Sequence, residues 1–364
     1  MNAIAIAILI FSLLGALDYL CGNKIGIGRE FERAFSLFCP MALSMLGMIV
    51  LAPALGVLLE PFFSLFYRVL HLDPSIIPAS LFANDMGGAP LAQSIAKSER
   101  IGDFNAFVIS SMMGCVISFT IPFSLGIVNK SRRKELFFGF LCGIVTIPIG
   151  GLVGGLMCNI PIGALLLNLL PLLLVGVALC ALLIFLESGC IRAFEIFGSG
   201  MKVLGIVGLG LAIFTFLTKV QINSYLDTFE SAAMVCANAC VTLSGALPLM
   251  YLATRLLDKP LQGLSRKIGI NATSTLAFLG TLVTNASTFG VMEKMDKRGA
   301  VLNAAFAVSA SFVFGSHLAF TMAYDESYLL PMIVAKLVAG VCAVLLAALL
   351  YKEKPTVTPE VCEN

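Results

Sequence analysis

The 364 residues are 59% hydrophobic and 12% charged, with a formal net charge of +2, whereas a soluble domain is about a quarter charged. With a mean hydropathy of +0.99, this composition excludes a water-soluble globular protein and leaves no stretch for a soluble domain. The small net charge carries no nucleic-acid signature, and the 11 cysteines, scattered through apolar stretches without a CxxC pair, read as packing residues rather than disulfides or a metal site.

Apolar segments long enough to cross the ~30 Å hydrocarbon layer as helices fall near residues 2–20, 35–59, 75–95, 104–128, 136–158, 163–187, 201–219, 233–255, 271–292, 300–323 and 329–351. The first has no basic residue before it and no small-residue cleavage site after it, so a crossing helix is expected there rather than a signal peptide. Segments 75–95 and 271–292 carry amides, hydroxyls and Gly or Pro at their middles. Such backbone survives at membrane depth only where protein encloses it or it lines a watery cavity.

Basic residues test whether these two segments cross, because cytoplasmic loops carry the Lys and Arg excess. If all eleven segments cross, the basic residues divide evenly between the faces. If both broken segments dip in and return, 18 of the 23 fall on one face and 4 on the other, with Lys336 inside the last segment. The second pattern predicts an all-α polytopic membrane protein with nine crossing helices, two re-entrant segments, an outside N-terminus and a cytoplasmic C-terminus.

The same arrangement exposes a repeat. Ser80-Leu81 and Asn84 fall opposite Thr281-Leu282 and Asn285, and Asn105 and Ser111 fall opposite Asn303 and Ser309. The predicted organisation is a first repeat over 1–158, a connector over 159–200, a second and inverted repeat over 201–351, and a cytoplasmic tail over 352–364. Inverted repeats with broken segments at matching positions are the sequence sign of a secondary transporter whose site lies near the midplane.

Asp85 is the most informative residue, since a carboxylate at membrane depth is costly unless it meets a cation or a polar cavity. It reads as a counter-ion for a cationic substrate or coupling ion, or as a cap on the second half-helix. Asn84 lies beside it. Asn285 and Thr284, with Ser287 and Thr288, offer a second donor and acceptor set, or merely satisfy the broken backbone. Asn105, Asn303, Ser111 and Ser309 either line the path or act as interhelical glue, as do Ser110 and Ser311. His317 reads as a proton relay or substrate ligand, or as a buried structural histidine. Lys336 either pairs with a buried carboxylate or snorkels to the surface. The glycines at 150, 151, 154 and 155 are a packing surface. No Walker loop, HExxH or protease constellation occurs; the nearest approach to GxSG is Thr242-Leu243-Ser244-Gly245. An enzyme is therefore not expected, and neither is a cofactor or metal.

The strings Asp85-Met86-Gly87-Gly88, Gly143-Ile144-Val145-Thr146-Ile147-Pro148-Ile149-Gly150, Met295-Asp296-Lys297-Arg298-Gly299, Phe306-Ala307-Val308-Ser309-Ala310 and Gly315-Ser316-His317-Leu318 together resemble the EutH family of bacterial ethanolamine permeases, in order along essentially the whole chain. The sequence departs from the family pattern at Ser316, often Asp, at Thr284, often Asn, and in a shorter connector after Cys158. The resemblance implies a multi-pass protein of the bacterial cytoplasmic membrane that moves ethanolamine inward for ethanolamine utilisation. Its partners would be ethanolamine and the lipid bilayer, without nucleic acid, and a homo-oligomer is compatible with the sequence. One carboxylate and a few amides or hydroxyls suffice for an ammonium joined to a hydroxyl by two carbons. The alternative is a carrier of another small polar amine or a nucleoside-like solute with the same architecture. Facilitated diffusion and coupling to H⁺ or Na⁺ stay equally open, as do elevator and rocking motions.

Overall fold

The computed structural model describes residues 3–352 apart from His71; the tail beyond Lys352 lies outside the described residues. Every described element is a helix. In chain order they are α1 (Ala3–Leu20), α2 (Ile27–Ser36), α3 (38–70), α4 (Ile76–Leu81), α5 (Gly88–Ile95), α6 (Glu99–Ile127), α7 (Arg133–Met157), α8 (Ile162–Phe185), α9 (Glu187–Thr218), α10 (Phe229–Ile268), α11 (Ala272–Val283), α12 (Asn285–Phe289), α13 (Lys297–Ala310), α14 (Ser316–Tyr324) and α15 (Leu329–Leu350). Among the described residues, seven helices are long and apolar enough to cross a membrane: α1, α6, α7, α8, α9, α10 and α15.

Burial separates lipid-facing helices from the centre. Leu13, Leu174, Val203 and Leu349 are 57–75% exposed, an apolar surface that only hydrocarbon can cover at this extent. By contrast, Phe104, Ala106, Phe107, Val108, Ile109 and Met112 of α6 are fully buried, which makes α6 the axial helix. Residues 105–114 and 116–120 of α6 are wound as π-helix, a geometry that often accompanies functional sites. Its neighbours approach closely because they are glycine-faced. A Cβ at Gly139 would stand 2.5 Å from that of Ala304, and one at Gly150 would stand 2.3 Å from the Ala335 carbonyl oxygen, so α7 packs backbone to backbone on α13 and α15.

Segments 75–95 and 271–292 are hairpins of two short helices, each with its two ends pinned together. Asp73 accepts from the backbone N–H groups of Ser75, Lys97 and Ser98 at 2.9–3.1 Å. In the other hairpin Asp296 accepts from the Asn271 N–H and the Ser274 hydroxyl at 2.8 Å.

Three expectations are corrected. Segment 300–323 is not one continuous helix. It breaks at 311–315, where Phe312 takes φ +61°, and the freed N–H groups of Phe312 and Phe314 donate to the Thr281 and Leu282 carbonyls at 3.2 and 2.8 Å. Gly315 is required there because a Cβ would stand 2.2 Å from the Val283 carbonyl oxygen. The helix expected over 35–59 continues to Leu70 through Pro53 and Pro61, and the one expected over 233–255 extends to Ile268 through Pro248 and Pro260. A proline removes one donor from such helices without ending them.

Candidate functional site

Three interruptions of helix, at 82–87, 284 and 311–315, meet beside α6; the first and third are satisfied by groups from another element and the second by its own side chain. In the first, Phe82 and Ala83 are extended and Gly87 takes φ +93°, a left-handed conformation natural to glycine. The orphaned groups are taken up by α6: the Ala83 N–H donates to Ser118 Oγ at 3.1 Å, and the Ser110 hydroxyl donates to the Phe82 carbonyl at 2.6 Å. In the second, Thr284 is extended and its hydroxyl oxygen accepts from the Ala286 N–H, opening α12. The third docks on the end of α11 as described above. Such mutual satisfaction lets irregular backbone persist inside an apolar protein.

Asp85 sits at the tip of the first hairpin. The sequence allowed it to cap α5, but α5 has no side-chain cap. Its carboxylate instead lies beside the Ser316 side chain and stands with Oδ1 3.7 Å from His317 Nε2. On the other edge of the imidazole, Lys336 Nζ lies 3.1 Å from Nδ1 and donates to the Ser111 carbonyl. With Lys336 as an ammonium, which carries donors only, Nδ1 accepts and the ring proton sits on Nε2, on the side of Asp85. Lys336, His317 and Asp85 thus form a line, and in that protonation state a neutral imidazole lies between a cation and an anion. Lys336 is fully buried and does not reach the surface. The Asp85 side chain retains 13% exposure against 1% for His317, which makes the carboxylate the more exposed end of the line. The Phe312 ring packs 5.2 Å from the imidazole and holds its plane.

Two fully buried amides, at the first and second breaks, are held in a reciprocal pattern. Asn84 of the first hairpin donates its Nδ2 to Thr321 Oγ1 in α14 at 3.3 Å, and Asn285 of the second donates its Nδ2 to Thr120 Oγ1 in α6 at 3.0 Å. The oxygen of each amide is buried without a hydrogen-bond partner. Buried acceptors left open in this way are costly, about 1–3 kcal/mol each, and each suits a donor supplied by a ligand.

The predicted residues therefore fall into two groups. Asn84, Asp85, Ser111, His317 and Lys336 are drawn together, with Ser111 contributing its carbonyl while its hydroxyl turns back to Val108. Asn285 sits at the second break with Thr120. Ser309, two residues before the third break, is buried with its hydroxyl unpartnered. Thr284 caps α12 and lines a cavity. Asn105 and Asn303 are not brought to Asp85. Each donates from Nδ2 to the first turn of its hairpin, Asn105 to Ser75 Oγ at 2.9 Å and Asn303 to the Ser274 carbonyl at 2.8 Å. Sequence reading missed Thr120, Thr321, Ser118 and Ser316. The first three are lone hydroxyls in apolar runs, and nothing local distinguishes them from packing residues. Ser316 was singled out in the sequence only as a departure from the family pattern, not as a neighbour of Asp85.

A cavity of about 590 Å³ leads from the surface to the second break. Gly280, Thr284 and Ser287 line its inner part, and Glu30, Arg33 and Arg255 its charged part. Arg255 also donates to the Ile25 carbonyl, so two of the basic loops meet at this cavity.

The family described as "Ethanolamine utilisation protein, EutH" matches residues 1–350. A relative from Listeria monocytogenes named "Probable ethanolamine permease EutH" is 38% identical over 335 residues, covering 92% of this chain and 90% of the relative. A protein of the same name from Escherichia coli is 35% identical over 359 residues, covering 92% and 88%. "Uncharacterized protein YxeR" from Bacillus subtilis is 35% identical over 347 residues, covering 95% and 94%. No solved structure matches the chain.

Proposed function

The chain belongs to the EutH family, and from that premise we propose that it is a permease carrying ethanolamine, in its ammonium form, across the bacterial cytoplasmic membrane. One observation carries the reading beyond the relatives' names: the Asp85 carboxylate, the more exposed end of its line with His317 and Lys336, lies where interrupted helices meet, and the oxygens of the fully buried amides Asn84 and Asn285 at the first two breaks are unpartnered. Ethanolamine offers three ammonium donors and a hydroxyl, and Asp85, Asn84 and Asn285 offer acceptors to match.

In this reading nine helices cross: the seven continuous ones, α3, and the interrupted pair α13 and α14. The two hairpins are re-entrant, which their pinned ends at Asp73 and Asp296 support. The halves 1–158 and 201–351 are inverted copies joined by 159–200. The amide pattern supports this, because Asn84 with Asn285 and Thr120 with Thr321 are both separated by 201 positions, so exchanging the halves turns one hydrogen bond into the other. Ser80 and Thr281 likewise both donate to the carbonyl four residues earlier. Asn105 and Asn303 are clamps at the hairpin bases, and the cavity at Thr284 is the cytoplasmic vestibule.

The test is uptake of labelled ethanolamine into proteoliposomes, measured against protein-free vesicles with a panel of unlabelled competitors. Saturable uptake blocked by ethanolamine and by other short amino alcohols is expected. Uptake blocked instead by nucleosides, or absent altogether, would overturn the assignment.

A further inference from the structure

Resting on the ethanolamine reading above, we propose that Lys336, His317 and Asp85 form a proton relay that releases one H⁺ for each substrate ammonium bound, so that the carrier exchanges cation for proton and moves no net charge.

The argument is electrostatic and begins with Lys336. The ionisable groups that face it are His317, Asp85 and Cys115. The other helices against α15 meet it with small residues: Gly150 and Gly154 of α7 lie on Ala335, and Ala310 of α13 lies on Gly340. Asp85, reached through the imidazole, is thus the anion that balances a fully buried ammonium. A substrate ammonium docked on Asp85 claims that same anion. Two cations on one carboxylate in a desolvated site leave one charge uncompensated, which costs several kcal/mol. The geometry supplies a way to discharge it.

Lys336 Nζ passes a proton to His317 Nδ1, and the imidazole passes the proton on its Nε2 to Asp85. The carboxyl, the more exposed end of the line, then loses that proton to solvent as the substrate ammonium takes its place. Before binding the line holds one cation and one anion; afterwards it holds the substrate cation, the Asp85 anion and a neutral lysine. The imidazole ends in its other tautomer, with Nδ1–H donating to the Lys336 amine and Nε2 bare toward the substrate. His317 thereby changes from a donor facing Asp85 to an acceptor for the incoming ammonium. The cluster is neutral in both states, as its burial demands. Net transport equals movement of the uncharged amine, so the carrier speeds equilibration without concentrating its substrate beyond what the pH gradient sets.

The test is calorimetric titration of ethanolamine into the purified protein in detergent, in buffers of different protonation enthalpy. The ligand stays an ammonium from pH 6 to 8, since alkyl amines titrate near 10. One proton released per ethanolamine is expected, with the apparent Kd falling about tenfold per pH unit across this range. Lys336→Met combined with Asp85→Asn, which removes both ends of the line and leaves no proton to give up, should release none and bind at most weakly. If that variant does not fold, the wild-type proton count still decides. Binding by the wild type with no proton released and a pH-independent Kd would overturn the relay while leaving the permease assignment standing. Absence of both binding and uptake would overturn the assignment beneath it.

Discussion

Asp85→Asn separates the charge of the site from its shape. Asparagine keeps the side-chain volume and one side-chain oxygen, but removes the anion. An ammonium about 4 Å from the carboxylate, at an effective dielectric near 20, is attracted by about 4 kcal/mol before desolvation, and a charge-assisted hydrogen bond nets about 1.5–3 kcal/mol. At 1.4 kcal/mol per factor of ten, Kd for ethanolamine should rise roughly 10- to 150-fold. The effect on the fold should be smaller. Lys336 Nζ is no more than about 9 Å from Asp85 Oδ1, because His317 spans the gap with contacts of 3.7 and 3.1 Å at its two nitrogens, and attraction at that distance is about 2 kcal/mol on the same dielectric. Scintillation proximity binding on purified protein measures the first quantity, and a thermal melt in the same detergent measures the second. A folded variant that binds with wild-type affinity would show that the carboxylate is structural and that substrate binds elsewhere.

The reciprocal amide bonds predict that Thr120→Val and Thr321→Val, which keep shape and remove the acceptor of a buried Nδ2, each destabilise by about 1–3 kcal/mol; thermal melts check this, and indifference at both positions would remove their role in holding Asn84 and Asn285. In a background lacking native cysteines, Lys97→Cys should react with a membrane-impermeant thiol reagent from outside and Ser287→Cys only from the cytoplasm, whereas labelling of both from one side would sink the inverted arrangement. A cell lacking the protein should grow normally on ample ethanolamine at neutral pH and fall behind at pH 5 or low concentration, because the diffusible neutral amine is about one part in a thousand at pH 7 and about a hundredfold scarcer at pH 5. Growth and labelled uptake of deletion and complemented strains across pH 5 to 8 check this, and an equal deficit at every pH would count against carriage of the ammonium.

What the sequence by itself determined is whatever follows from local composition. Apolar runs of crossing length announced the membrane helices. The breaks at 82–87 and 284 were legible because Gly87, Gly88, Pro90 and the amides Asn84 and Asn285 crowd the middles of otherwise apolar segments. Asp85 stood out because a lone carboxylate there needs a reason. The third break was not legible. Ser311-Phe312-Val313-Phe314-Gly315 is as apolar as a crossing helix and contains no proline, and it opens only because the carbonyls of Thr281 and Leu282 receive its N–H groups. The same limit hid the partners of the site. Asn84 and Thr321 are separated by 237 positions and Lys336 and Ser111 by 225, and nothing within either stretch of chain encodes the other. Lys336 could be read equally as a snorkelling lysine or a buried one, since its depth along α15 is a local property but its direction is not. Packing against the glycine faces of α7 and the π-wound turn of α6 turned it inward, onto His317 and, through it, toward Asp85.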